Sequence, residues 1–334
     1  MAKKELLKLE DGTEELIPEY SKIIAVGYNV FRIDTDGGRY YVIRYRDDRA
    51  KLHQLYMPSC TTVINKSMPT PEPIQKLQAT MGWDNFWQYV KTRAAYGSVM
   101  HMLISELFVI KSIKADGLHK RIMDMIYAIY PVQLETLSTL ATELIRDLLA
   151  FMQFVVDHKV VPYSIELPLA SFKGGYCMAI DMVCTLTIEE TGFFGEVYKS
   201  GDRKDEPKET KQERTVFAYV DFKSGKKGFF STHELQLAMG EQVLKENYPD
   251  LARTLTGSDD IFLFNWAPSA WRGKTPTYKL KDQRGKVDDN DMWARIQLGR
   301  SESKKEIPAR FVLHESLKLG VDPSTLFTFT EIDF

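Results

Sequence analysis

One segment constrains this chain more than any other: residues 215–225, TVFAYVDFKSG, where an apolar run ends in Asp221-Phe222-Lys223 and a glycine. Such a run reads as a β-strand, and strand side chains alternate between two faces. Phe217, Tyr219, Asp221 and Lys223 therefore share one face, and Val216, Ala218, Val220 and Phe222 take the other. An acid and a lysine two residues apart on one face stand roughly 7 Å apart along the strand. The tripeptide pattern alone carries little, because acid-x-Lys occurs at five other places, from Asp157-His158-Lys159 to Glu302-Ser303-Lys304. Those five lie at a helix end or in charged segments, so the surroundings of Asp221 must supply its meaning.

The chain has 334 residues, of which 44% are hydrophobic, enough for one large domain or two. A net charge of −2 excludes a uniformly basic nucleic-acid coat but allows a local positive groove. Three cysteines, Cys60, Cys177 and Cys184, supply neither a paired disulfide framework nor four thiolates for a structural zinc or iron–sulfur cluster. A reducing cytoplasm is the expected location. No apolar leader and no run of about 18 apolar residues is present, so neither a signal peptide nor a membrane span is expected.

Residues 23–45 have strand-rich composition around an Asp-Gly-Gly turn and read as a β-hairpin, making 1–58 a β-rich N-terminal element. A polar, proline-punctuated connection, PSCTTVINKSMPTPEP, follows. A helical tract then runs from about Pro73 to Phe108 with a break near Gly82, and a second covers roughly 118–158, interrupted by Pro131. From 163 the period shortens: YSIELPLASFKGGYCMAIDMVCTLTI reads as two strands joined by a Gly-Gly turn. Residues 196–214 carry six acids and six Lys or Arg with almost nothing apolar, the composition of an exposed hairpin tip or mobile loop. Beyond the Asp221 strand come a helix from 233 to about Pro249, a strand DIFLFNWAP from 260, and a helical tail over 287–319. The order helix, strand, strand, strand, helix, strand predicts α/β layering around a mixed sheet.

Asp181, within GGYCMAIDMVCTL, shares a face with Cys177, Ala179 and Val183 by parity. It is either an edge-strand acid facing water or a buried one needing a cation or donors. Glu166, in SIELPL, reads equally well as a solvated acid. His101 borders the buried stripe Met100, Leu103, Ile104, Leu107 and Phe108 of its helix, with Gly97 one turn earlier. A lone histidine there is more often a satisfied core residue than a ligand. The basic stretch 271–286, WRGKTPTYKLKDQRGK, sets six basic residues against one acid and interleaves Trp271 and Tyr278. It suits phosphate neutralisation with base stacking as well as it suits an exposed loop with core aromatics.

Taken in order, Gly97-x-x-x-His101, Glu166, Gly175 with Asp181 six residues later, Asp221-Phe222-Lys223-Ser224-Gly225 and Gln236 resemble the RecB-like branch of the PD-(D/E)XK nuclease superfamily. The likeness runs from about Ser59 to about Leu244. It implies an α/β, restriction-endonuclease-like core over 59–334, with a central mixed sheet flanked by helices. The departures from that core are a helical insertion at about 110–160, a charged insertion at about 189–215 and a C-terminal extension. It further implies His101, Asp181, Asp221 and the Phe222 carbonyl as ligands of Mg²⁺ or Mn²⁺, and Lys223 at the attacking water. Glu166 would assist, and Gln236 would order the site. Three departures stand out: the long gap from Asp181 to Asp221, Gly240 where relatives carry a tyrosine, and only three cysteines, Cys60, Cys177 and Cys184, where some relatives hold a four-cysteine cluster.

The expected activity is metal-dependent hydrolysis of DNA, acting as an exonuclease in recombination, repair or phage DNA processing in a bacterial cell. The alternative is a DNA-binding or assembly protein that keeps the fold with little catalysis. Expected partners are duplex ends or single strands and a recombination or replication protein. DNA contacts would come from Lys226, Lys227, Trp271, Arg272, Lys274, Tyr278, Lys279 and Lys281. No iron–sulfur cluster is expected.

Overall fold

A computed structural model gives the fold of this chain. It describes residues 6–8, 14–16, 24, 27–35, 38–47, 49–197, 199–200, 206–225, 228–271 and 275–303. A short antiparallel pair, β1 (Leu6–Lys8) and β2 (Glu14–Leu16), precedes a three-stranded antiparallel sheet of β3 (Tyr28–Thr35), β4 (Gly38–Arg46) and β5 (Leu52–Pro58). The expected hairpin thus gains a third strand. Tyr28, Val30, Tyr41, Ile43 and Met57 pack this sheet onto Ala170, Phe172 and Cys177. The Tyr28 hydroxyl fixes the contact, accepting from the Ala170 N–H and donating to Asn247 Oδ1 at 2.7 Å.

The stretch read as a polar connection is in fact helix α1 (Cys60–Ser67). Ser59 caps it by accepting the Thr62 N–H at 3.0 Å, and Cys60, Val63 and Ile64 turn inward. Next come α2 (Glu72–Met81) and the 28-residue α3 (Trp83–Ile110), with Gly82 at a φ of 74° supplying the break between them. α4 (Leu118–Ile129) and α5 (Leu134–Asp157) flank Pro131. α5 buries Leu137, Leu140, Ala141, Leu144, Leu148, Phe151 and Val155, a stripe at three- and four-residue spacing.

The central sheet is β10–β9–β8–β7–β6. β6 (Val161–Ser171), β7 (Tyr176–Val197) and β8 (Pro207–Phe222) pair antiparallel. α6 (Ser231–Asn247) and α7 (Leu251–Thr256) then cross over to β9 (Ile261–Pro268), which pairs parallel to β8. β9 is buried at all eight positions, as an inner strand covered on both faces must be. β10 (Tyr278–Asp282) closes the edge antiparallel to β9, and α8 (Asp289–Ser303) follows. The basic stretch thus contributes a strand that composition alone conceals, and the part of the helical tail beyond 303 lies outside the described residues.

Helices cover both faces of the sheet. α3, α4 and α5 pack on Val216, Ala218, Val220, Phe222 and Trp266, while α1, α6 and α8 pack on Phe217, Tyr219, Leu167 and Ile180. The parity read for β8 holds throughout. The charged insertion is a two-stranded ribbon rather than a loop, since β7 and β8 stay paired from Met182↔Val220 out to Phe193↔Glu209. Lys211–Glu189 and Arg214–Glu190 ion pairs lie across it, each exposed and contributing little individually. Among the described residues no helix is long and apolar enough to cross a membrane.

Gly240 sits where α6 meets the sheet, and a Cβ there would run into the Tyr219 ring. Overpacking of about 1–3 kcal/mol outweighs the helix-propensity gain of about 1 kcal/mol for Gly→Ala. Gly240→Ala should therefore lower the unfolding free energy in urea. Combined with Tyr219→Leu, it should cost less than the sum of the two single changes.

Candidate metal centre

Four elements bring charged groups together at one end of the sheet. α3 supplies His101, which lies half-buried with its Nδ1 2.6 Å from Glu166 Oε1 and 3.8 Å from Asp181 Oδ1. β6 and β7 supply the two acids. The pairs Ile165↔Met182 and Leu167↔Ile180 flank Glu166 and Asp181, so the two carboxylates stand opposite each other across the strands. The fourth element is β8, whose Phe222 N–H donates to Asp181 Oδ2 at 2.7 Å.

At this level the side-chain alternation changes phase in both strands. Ile165 and Met182 pack with α3 and α5, whereas Leu167 and Ile180 pack with α1 and α6. The parity that grouped Asp181 with Cys177, Ala179 and Val183 therefore fails only at Val183: Tyr176, Met178 and Ile180 keep the even positions on the α1 and α6 side up to the break, and Val183 joins them there. The cause is local. Glu166 has a φ of 52°, and it is the one non-glycine residue inside a strand with positive φ among the described residues. Holding a glutamate there costs about 1–3 kcal/mol, and like charges placed directly opposite add to it. Asp181 is 7% exposed on an inner strand, which excludes the water-facing alternative.

Asp221 and Lys223 form a second group beside the first. The Asp221 carboxylate has no exposed surface, and all its donors come from the protein. Lys223 Nζ lies 2.8 Å from Oδ2 and 3.0 Å from Oδ1, Gln236 Nε2 donates to Oδ1 at 2.9 Å, and Asn265 Nδ2 donates to Oδ2 at 2.7 Å. Gln236 Oε1 accepts from Lys223 Nζ at 3.0 Å, and Gln283 Nε2 steadies Asn265 Oδ1 at 2.9 Å. The parallel register Asp221↔Asn265 sets Asn265 beside the acid. Asn265 and Gln283 were not among the residues singled out from the sequence. The one available signal was a lone polar residue in the otherwise apolar IFLFNWAP.

The donor set fits a hard or borderline divalent cation. One ligand atom each from His101, Glu166 and Asp181 lie within 4.8 Å of one another, two oxygens and one imidazole nitrogen. Glu166 completes this set, while Asp221 is engaged by Lys223, Gln236 and Asn265. A Cβ at Gly97 would make ordinary contact with Ser224 Oγ at 3.4 Å, so the glycine is not required by close packing there.

The basic stretch is arranged differently from a free stacking surface. Tyr278 donates to Asp157 Oδ2 and packs edge-on against Phe154, and Arg146 lies over the Trp271 ring, so both aromatics face α5. Lys279 is exposed, and Lys281 reaches Glu234 at 3.8 Å. Lys226, Lys227, Arg272 and Lys274 lie outside the described residues. A comparison with models of known protein families and with curated proteins finds no match to this chain.

Burial opposes a charged His101, but Asp181 and Glu166 outweigh it and push the imidazole up to about 9. Burial, reinforced by Asp221 and Glu166 against His101, raises the Asp181 carboxyl to about 7. Both folded values lie above the unfolded ones. The stability they contribute is therefore present at low pH and is lost as pH rises through about 7 and about 9. A bound cation replaces those protons. The thermal midpoint of the metal-free protein should fall between about pH 6 and pH 9, and Mn²⁺ should raise it more at about pH 8.5 than at pH 6. Asp181→Ala should abolish the Mn²⁺ effect.

Proposed function

We propose that this protein is a divalent-metal-dependent deoxyribonuclease of the RecB-like, PD-(D/E)XK type, with a restriction-endonuclease-like core. One observation carries the reading. Two buried acids, a histidine and an acid-bound lysine converge where β8 ends beside β7 in a helix–strand–strand–strand–helix–strand unit. The motif order in the sequence supports the same reading.

A Mg²⁺ or Mn²⁺ ion held by His101, Glu166 and Asp181 would polarise a phosphodiester and acidify a water. The protein's own groups do the rest. Phe222 N–H keeps the Asp181 carboxylate turned toward the cluster. Lys223, anchored by Asp221 and Gln236, supplies a fixed positive charge where negative charge grows on the phosphate. Asn265 and Gln283 hold Asp221 so that the ammonium cannot wander. End-directed cleavage in recombination, repair or phage DNA processing is the setting we assign.

Linear duplex, covalently closed circular and single-stranded DNA, incubated with Mg²⁺ or Mn²⁺, should show metal-dependent degradation of the linear forms and sparing of the closed circle. Asp181→Asn and Lys223→Ala should each lose about 10²-fold or more of the rate. Activity that survives chelation, or an Asp181→Asn variant as active as the parent, would overturn the assignment. DNA binding with no turnover under any divalent cation would favour the binding or assembly role.

A further inference from the structure

The first turns of α3 carry an arrangement that the cleavage chemistry does not use. Of residues 83–91 only Phe86 is buried, yet Trp83 is 64% and Trp87 41% exposed, their rings in edge contact at 5.7 Å. A single exposed apolar residue needs no explanation, but two touching tryptophans on a segment that contributes little to the core do.

Their azimuth is informative. At 100° per residue, Trp83 precedes His101 by about five full turns and Trp87 by about four, so both lie on the His101 side of the helix. Between Trp87 and His101 the same stripe holds Val90, Ala94 and Gly97, small side chains that keep the helix surface low, with Ser224 against Gly97. Exposed Lys91 borders one side, and Arg93, ion-paired with Glu143 at 3.0 Å, lies on the other. Arg93 donates to the Ser224 carbonyl at 3.1 Å, tying this stretch of α3 to the loop that follows Lys223. The one acid of the first turn, Asp84, lies on the Lys91 side of the stripe, two turns before that lysine.

We infer that Trp83 and Trp87 form a stacking site for unpaired bases of the DNA strand whose phosphate lies at the metal centre. The inference rests on the nuclease reading for the direction of the strand. Aromatic faces joined by a track that Lys91 borders to a phosphate-handling centre match what a single strand presents, bases on one side and a charged backbone on the other. The rise of the helix puts Trp87 about 21 Å and Trp83 about 27 Å from His101 along the axis. At about 3.4 Å per stacked nucleotide that is a strand of roughly six to eight nucleotides.

Fluorescence anisotropy in EDTA, with labelled oligo-dT of 4 and 12 nucleotides, tests this without requiring cleavage. The full chain should bind the 12-mer at least tenfold more tightly than the 4-mer. Trp83→Ala/Trp87→Ala should remove that advantage, while Trp83→Phe/Trp87→Phe should keep most of it, with thermal midpoints confirming that both variants fold. Equal binding of the two lengths by the parent, an unchanged Ala variant, or equal loss in the Ala and Phe variants would each overturn the stacking site. Loss of self-association in sedimentation, with oligonucleotide binding unchanged, would assign the face to a second copy instead. A parent that binds the 12-mer through these tryptophans but cleaves nothing would refute the nuclease reading and leave this site standing.

Discussion

Two carboxylates sit side by side on adjacent inner strands, and much of the core around them serves to hold them there. An ionised acid taken out of water costs several kcal/mol even after relaxation, so each needs donors or a cation of its own. Asp221 has Lys223, Gln236 and Asn265. The parallel crossover from β8 through α6 to β9 delivers two of these, for it carries Gln236 on the way and ends with Asn265 in register. Gln283, just past the edge strand β10, then holds Asn265. Among the described residues Asp181 accepts the Phe222 N–H and has His101 at 3.8 Å, fewer donors than Asp221 gathers.

The resemblance to RecB-like nucleases assigns Asp221 to the metal and gives Glu166 an assisting part. The structure sets Lys223 against the carboxylate of Asp221 and gathers Glu166, turned by its positive φ, with His101 and Asp181. Both arrangements use the same residues. They differ in which carboxylate stands beside His101 and which beside Lys223.

Much of this was legible from the sequence because it depends on local pattern. The strand parity of β8, the break at Gly82, the Gly-Gly turn before Asp181 and the layered element order all follow from short-range periodicity. What was hidden depends on partners distant in the chain. Asn265 acquires meaning only once a parallel register sets it beside Asp221. The phase change at Glu166 and Asp181 arises from a backbone conformation that a glutamate does not announce. Helix α1 was concealed by its polar composition, although Ser59 three residues before Thr62 was a usable cap signal. The exposure of Trp83 and Trp87 was invisible for the opposite reason, since tryptophans on a helix are ordinarily read as core.

The charged ribbon limits how the chain can change length. Its arms remain paired without interruption from the Asp221 end of β8 out to Phe193↔Glu209, so it transmits register directly into the centre. A residue deleted from one arm alone must be absorbed as a bulge or passed inward, and passing it inward would turn Asp221 to the α3 side and Phe222 to the α6 side. Insertions and deletions in this ribbon should therefore be tolerated in matched pairs, one on each arm, or beyond Phe193 where the pairing is already irregular. The ribbon can lengthen or shorten over time only as a zipper does, both sides together.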